Sequence, residues 1–195
     1  MKRFLLIFLI LACTATLLVA CGKEPEEKEL VSLEEIPSGY GIEDAIADGI
    51  LAHEDGTVVG GEEKWKEFLR KTEDGEPATL RFSRTYNLGD PSRYDSSLYN
   101  EIKDDYPMTF VFDLTYDGDS YTVRHFEDGK EYKQEFPYLL RFEGDAPSTA
   151  TYRHYVRYVL CDRDDVTWEM IEMRLVSSIM SIASISYHEV YSKLS

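Results

Sequence analysis

The chain has 195 residues, with 21 lysines and arginines against 37 aspartates and glutamates, which gives a formal net charge of −16 at pH 7. A surface this acidic argues against nucleic acid as a partner and against electrostatic attraction to anionic lipid headgroups. The length suits one domain with a substantial core.

Residues 1–20 predict a bacterial lipoprotein signal peptide. The segment begins with the positive pair Lys2-Arg3 and then carries no charge, as secretory signals do. It ends in Leu18-Val19-Ala20-Cys21, where a small residue precedes a cysteine. We therefore predict cleavage between Ala20 and Cys21 and attachment of a diacylglyceryl group to the thiol of Cys21.

This assignment predicts where the protein resides. Two acyl chains such as palmitate hold a protein stably on a membrane, whereas one chain alone binds marginally. We therefore expect the domain on the outer face of the cytoplasmic membrane, anchored through lipid on Cys21. The alternative is an uncleaved N-terminal membrane anchor, for which about 17 apolar residues is the lower limit. Cys13 lies within the apolar run and is interpreted as part of the signal only.

Residues 21–38 predict an acidic linker that carries the lipid. The segment is rich in glutamate and contains Pro25 and Pro37, so we expect it to stay extended and to lift the domain off the membrane. Ser32 to Glu35 fits a helix capping box, but Pro37 stops any helix that starts there.

Cysteine usage predicts a domain without an internal disulfide. Cleavage leaves only Cys21 and Cys161, and lipid occupies the first of them, so the core must supply the stability. Cys161 ends an apolar run and is interpreted as a small buried hydrophobic residue. The alternative is a reactive thiol outside the cell.

Residues 39–195 predict a single α+β domain. A short helix at Ile42 to Asp48 ends at Gly49, and a hairpin follows through the turn Asp55-Gly56. A clearer helix is predicted at Glu62 to Thr72. The apolar face of that helix consists of Trp65, Phe68, Leu69 and Thr72.

Alternating apolar and polar residues predict five strands after this helix. They span 80–86, 108–116, 121–126, 132–142 and 152–161, and Pro137 interrupts the fourth. The turns Asp117-Gly118 and Asp128-Gly129 connect neighbouring strands. A period of two with short turns predicts an antiparallel meander sheet of about five strands, with helices packed on one face.

A final helix is predicted to begin near Thr167 and to pack on the sheet together with the helix of Trp65. Its apolar stripe consists of Trp168, Ile171, Leu175, Ile179 and Ile182.

A long insertion at 87–107 separates the first two of the five strands, and loops of this length are often functional. The chain has 14 tyrosines. Many fall on strand faces predicted to point inward, where packing explains them. Those of the insertion offer amphipathic contact area for a peptide or carbohydrate. The candidate binding surface therefore consists of Arg93, Tyr94, Tyr99 and Tyr106.

No motif of the chain predicts catalysis or a cofactor. The sequence lacks His-Glu-x-x-His, Cys-x-x-Cys and Gly-x-Ser-x-Gly, and its four histidines, His53, His125, His154 and His188, are scattered. His53 and His125 lie beside Asp-Gly turns, and we predict a structural role for both. We expect no catalytic residue, no cofactor and no metal.

Several motifs together resemble those of a known family. In chain order they are Ala47-Asp48-Gly49, residues 61–71 with Trp65, Gly89-Asp90-Pro91 and residues 113–118. They resemble an uncharacterised family of short lipoproteins from Firmicutes that carries a domain of unknown function. The resemblance covers about residues 40–126, and the last strand and helix resemble only a clostridial subgroup. It implies the lipid anchor, a single domain and a Gram-positive envelope, and it brings no known activity.

These observations favour a membrane-anchored, non-enzymatic binding or accessory domain outside the cell. The expected partner is an unknown envelope protein or a small ligand, and the domain is expected to be a monomer. The alternative is an envelope hydrolase with a dispersed active site, and a third interpretation is a purely structural or stress-related surface protein. A concave pocket that holds two or more of His125, His154 and acidic neighbours with shifted pKa values would favour the hydrolase.

Overall fold

Two separate sheets organise the chain. A computed structural model describes residues 30–148, 150–176 and 185–195, with the side chains of 175 and 176 excepted. These residues form four α-helices and nine strands, which confirms the predicted α+β class. The predicted signal peptide and the first half of the linker, including Cys21, lie outside the described residues, as do Ile179 and Ile182 of the predicted final helix.

The first half of the fold follows the predicted order of elements. Its helices and strands are α1 (Ile42–Ala47), β1 (Leu51–Glu54), β2 (Thr57–Gly60), α2 (Glu62–Glu73) and β3 (Ala78–Tyr86). The insertion after β3 contains the short helix α3 (Ser96–Ile102). The Asp95 carboxylate caps α3 by accepting a hydrogen bond from the Ser97 amide.

The second half contains six strands and one helix within the described residues. They are β4 (Met108–Tyr116), β5 (Tyr121–Glu127), β6 (Lys130–Phe136), β7 (Tyr138–Asp145), β8 (His154–Cys161), α4 (Trp168–Val176) and β9 (Tyr187–Leu194).

The first sheet has six strands in the order β2-β1-β3-β4-β5-β6 among the described residues. Strands β3 to β6 form the predicted antiparallel meander. The pairing of β1 with β3 is parallel, because α2 carries the chain back between them. Asp128 and Gly129 have φ angles of 51° and 72° in the turn between β5 and β6, which is the geometry that Asp-Gly hairpin turns favour.

Pro137 separates the two sheets instead of interrupting one strand. Strand β6 ends at Phe136 and pairs with β5, whereas β7 starts at Tyr138 and pairs with β8. Proline lacks the N–H that a ladder requires, so the chain leaves the first sheet at this residue.

Strand β9 completes a second, three-stranded antiparallel sheet in the order β7-β8-β9 among the described residues. The sequence interpretation missed this strand. Residues Tyr187 to Tyr191 hold the aromatic and β-branched residues that strands favour, but they follow the predicted helix directly.

The main core lies between the two sheets and α2. The Trp65 ring of α2 stacks on Tyr191 of β9, with ring centroids 5.0 Å apart, and meets Tyr158 of β8 at the same distance. Phe82 stacks on Phe112 across β3 and β4 at 4.9 Å. The two sheets therefore bury their apolar faces against one another and against α2.

Helix α4 covers the other face of the second sheet, and the prediction that it packs beside the helix of Trp65 is wrong. Ile171 of α4 belongs to a second core with Val159 and Cys161 of β8, whereas Leu160 faces the main core. Successive residues of β8 therefore point to opposite faces of the strand and pack into different cores. Cys161 is fully buried, as predicted, and burial raises the pKa of its thiol to about 12.

The ordered domain begins earlier than residue 39. Leu33 is buried in a 3-10 turn, Leu33–Glu35, which contacts β4 and β5. The Arg81 guanidinium donates to the carbonyl of Val31. Arg81 points away from the main core because its neighbours along β3, such as Phe82, point toward it. The last part of the predicted linker therefore packs on the outer face of the first sheet.

Candidate functional site

The four residues of the candidate binding surface lie in and around α3, and the structure brings two of them together. The rings of Tyr94 and Tyr99 are 6.3 Å apart. The Tyr94 hydroxyl donates a hydrogen bond to the Leu88 carbonyl at 2.7 Å, which fixes the ring within its own loop. Arg93 is exposed and Tyr106 is half-buried. The contacts of the tyrosine pair are those of a loop ordered by its own packing.

His53 is a buried structural histidine, as predicted. It is 2% exposed, and its Nδ1 lies 3.1 Å from the Ser83 carbonyl. Its ring meets Phe82 and Tyr191 edge-on. Burial, together with the nearby Arg84 guanidinium, lowers the pKa of His53 to about 3. The imidazole is therefore neutral and donates from Nδ1, which leaves Nε2 as a buried acceptor without a partner in the described structure.

His125 and His188 also belong to the packing between the sheets. His125 stacks on Tyr132 with ring centroids 5.0 Å apart and tilts against Phe112, which agrees with the structural role predicted for it. The His188 ring meets Phe82 and Phe112. Burial, together with the nearby Arg84 guanidinium and His125, lowers the pKa of His188 to about 3.

His154 lies between two carboxylates on the surface. Its Nε2 lies 3.1 Å from a Glu143 oxygen and its Nδ1 lies 3.3 Å from an Asp145 oxygen. All three side chains are exposed to solvent, so these contacts lie on the surface of the protein. Within the described ranges, no group of three or more histidines, cysteines and carboxylates has the geometry to hold a metal ion.

A groove of about 660 Å³ lies on the outer face of the first sheet, beside the 3-10 turn. We call it the tether groove. It is formed by three stretches of chain that the fold brings together: the segment at 33–40, the start of β4 at 109–111 and the β5–β6 turn at 126–129. Its lining residues are Leu33, Glu34, Ile36, Pro37, Ser38, Tyr40, Thr109, Phe110, Val111, Phe126, Glu127, Asp128 and Gly129.

The groove combines apolar walls with a few charged groups, the usual composition of a binding pocket. Leu33 and Val111 are buried, and Ile36 and Phe126 are half-buried. Glu34, Glu127 and Asp128 supply the charge of the lining, and all three are exposed.

Tyr40 closes one side of the tether groove with a fixed, neutral phenol. Its hydroxyl donates to an Asp48 oxygen at 3.0 Å. Burial raises the pKa of Tyr40 above its ordinary value, and Asp48 raises it further. The ring therefore serves the groove as a rigid, uncharged wall.

From sequence, these groove residues fall mainly in a linker, two strands and a hairpin turn, and no local pattern groups them. No model of a protein family, no curated protein and no solved structure matches the chain. None of the helices in the described part of the chain has the length and apolar character needed to cross a membrane. The fold and the side chains of the tether groove are therefore the basis for a functional proposal.

Proposed function

We propose that the protein is an extracytoplasmic lipoprotein, held on the outer face of a Gram-positive cytoplasmic membrane through acyl chains on Cys21, whose domain binds a partner or ligand. The observation that carries the binding role is the tether groove, which is built partly from the segment that follows the proposed anchor. Membership of the Firmicutes lipoprotein family is part of the same proposal.

The position of the groove in the chain supports coupling between anchor and binding. The chain from Cys21 to Val31 reaches at most about 35 Å even when fully extended. Leu33 then packs on the sheet and Ile36 lines the groove. A ligand in the groove is thus held close to the membrane surface.

The acidic composition supports a covalent anchor in particular. With a net charge of −16, the protein is repelled by anionic headgroups. Membrane attachment then depends on the acyl chains.

The groove favours the binding hypothesis over a hydrolase. A hydrolase that uses these histidines requires His125 or His154 in the pocket together with acidic neighbours. The tether groove holds Glu127 and Asp128, but neither His125 nor His154 is among its lining residues. Its apolar walls and exposed carboxylates suit recognition of a ligand.

The anchor is tested by labelling producing cells with palmitate. We expect label in the wild type and in Cys13→Ser, which keeps the attachment cysteine, and none in Cys21→Ser. Intact-mass analysis should show a mature chain that starts at Cys21. Label in Cys21→Ser, or a wild-type mass that retains residues 1–20, contradicts the anchor.

The binding role is tested by cross-linking the full-length chain in cells and recovering it from the membrane fraction. We expect a distinct partner that is recovered repeatedly with the wild type. Recovery of the lipidated chain alone, across growth conditions, contradicts the binding role.

A further inference from the structure

We propose that the tether groove binds a short peptide segment that carries both positive charges and apolar side chains. This inference rests on the proposed binding function and names the class of its ligand.

The charge of the groove selects a cation. Glu34, Glu127 and Asp128 line it, and none of its lining residues is a lysine or arginine. A group of carboxylates with no basic side chain in the lining attracts cations from solution. The net charge of −16 adds a long-range field of the same sign, which speeds the approach of basic ligands and repels anionic ones.

The apolar walls select a ligand that is more than a simple polycation. Leu33, Ile36, Val111 and Phe126 contribute apolar side chains to the lining. Lysine and arginine lay their aliphatic stems along such a surface while the charged ends stay in water. Neighbouring apolar side chains of the same ligand then fill the remainder of the groove.

The placement of the carboxylates favours a peptide over a small amine. Glu34 belongs to the 3-10 turn, whereas Glu127 ends β5 and Asp128 lies in the turn that follows it. A ligand that meets carboxylates from two separate stretches of chain, with apolar side chains beside them, needs at least two charges with an apolar connection. A peptide with basic and apolar side chains in alternation meets this requirement.

The test measures binding of a short fluorescent peptide of alternating lysine and leucine to the full-length chain in nonionic detergent micelles, with empty micelles as a blank. The variant Glu127→Gln/Asp128→Asn removes two carboxylates from the groove. Asparagine tolerates the positive φ of residue 128, so the turn is retained. We expect affinity to fall about 3- to 30-fold, and Glu34→Gln, which removes the carboxylate contributed by the 3-10 turn, to weaken binding as well.

The matched control is Glu76→Gln/Asp119→Asn. It removes the same charge from exposed side chains, with Asp119 lying in the turn at the far end of β5. We expect this control to keep its affinity within about twofold. A peptide of alternating glutamate and leucine should not bind.

Three results overturn the inference: equal losses in the two double variants, equal binding of the acidic peptide, or displacement of the probe by spermidine as readily as by unlabelled peptide. The first two mean that the groove does not select the probe, and the third identifies a simple polycation as the ligand.

Failure of this inference is distinguishable from failure of the proposed function. If the cell-derived partner is still recovered with Glu127→Gln/Asp128→Asn, the binding function stands and the groove assignment falls. If the probe binds as expected while Cys21→Ser still takes up palmitate, the groove assignment stands and the anchor falls. Cys21→Ser itself should bind the probe like the wild type, because Cys21 is not part of the groove.

Discussion

Arg84 on β3 donates hydrogen bonds to Glu189 on β9, to its backbone oxygen at 2.5 Å and to its carboxylate at 3.2 Å. The second carboxylate oxygen accepts from Arg157 of β8 at 2.5 Å. The side chains of Arg84, Glu189 and Arg157 are 17%, 15% and 15% exposed. One glutamate therefore links both sheets and neutralises part of the charge of two largely buried guanidinium groups.

Removal of this charge should destabilise the domain. Glu189→Gln removes the carboxylate that pairs with Arg84 and Arg157 in a poorly solvated position. We expect the free energy of unfolding to fall by about 3 kcal/mol, as in other buried pairs that lose one partner. Urea denaturation followed by tryptophan fluorescence measures the change.

The control is Glu131→Gln, which breaks an ion pair with Arg124 in which both side chains are more than 40% exposed. We expect it to lower the free energy of unfolding by less than about 1 kcal/mol. Equal losses of unfolding free energy in Glu189→Gln and Glu131→Gln would show that burial of the Glu189 ion pairs adds no stability.

Because His53 and His188 are buried, the protein should lose stability in mild acid. The pKa values of His53 and His188 are about 3 in the folded protein, whereas an unfolded chain binds the same protons near pH 6.5. The stability that these neutral histidines contribute is thus fully present above pH 6.5. It is lost as the pH falls from 6.5 toward 3. The free energy of unfolding should fall by up to about 1.4 kcal/mol per pH unit for each histidine.

Urea titrations between pH 5 and 6.5 isolate this effect, because carboxylates titrate mainly below that range. We expect His188→Gln to reduce the slope of unfolding free energy against pH by about half. The double variant His53→Gln/His188→Gln should remove most of this slope. A double variant with the wild-type slope would assign the pH dependence to other groups.

Local patterns predicted most elements of the fold but not the division into two sheets. The hairpin turns at Asp55-Gly56 and Asp128-Gly129 and the helix of Trp65 follow from periodicity and turn chemistry within a few residues. The pairing of β8 with β9 joins residues on either side of α4, and neighbouring residues carry no sign of it. Alternation in β8 indicates a strand, but it does not indicate that Leu160 and Cys161 face different cores.

The candidate site was harder to predict than the fold. Tyr94 and Tyr99 do pair, but the groove itself combines a presumed linker with a hairpin turn. One local signal was available, since Leu33 and Ile36 are apolar residues in an otherwise acidic stretch. Sequence alone does not show that this stretch meets Phe126, because their contact depends on the register of β4 and β5.

Gly61 should tolerate no side chain. It precedes α2 with a φ of 69°, and an added Cβ would lie 2.2 Å from the carbonyl oxygen of Ile50. Gly75 has a similar φ of 74° but has no atom within 4 Å of that position. Gly75→Ala should therefore cost only the left-handed strain of about 1–2 kcal/mol.

Gly61→Ala should cost more than Gly75→Ala, because the main chain at Ile50 must also move. Thermal and urea unfolding of both variants measure the difference. Equal losses of stability in Gly61→Ala and Gly75→Ala would show that β1 shifts away from the new methyl group without an energetic penalty.

The attachment of the 3-10 turn should depend on Leu33. Leu33 is 7% exposed, whereas Val31, two residues before it, is 51% exposed. Leu33→Ala removes buried apolar contact worth about 2 kcal/mol. Because the turn packs on the outer face of the first sheet, away from the main core, we expect local detachment, while the Trp65 core stays folded and keeps its near-ultraviolet circular dichroism.

Cleavage by a glutamate-specific protease measures the detachment, since Glu34 and Glu35 lie within the turn. We expect cleavage there to be at least about tenfold faster in Leu33→Ala than in the wild type. Val31→Ala, which removes an exposed side chain next to the turn, should change the rate less than about twofold. The same rate in both variants would mean that residues 31–36 behave as linker. In that case the tether groove would lose one wall, and Leu33→Ala would leave binding of the lysine–leucine peptide unchanged.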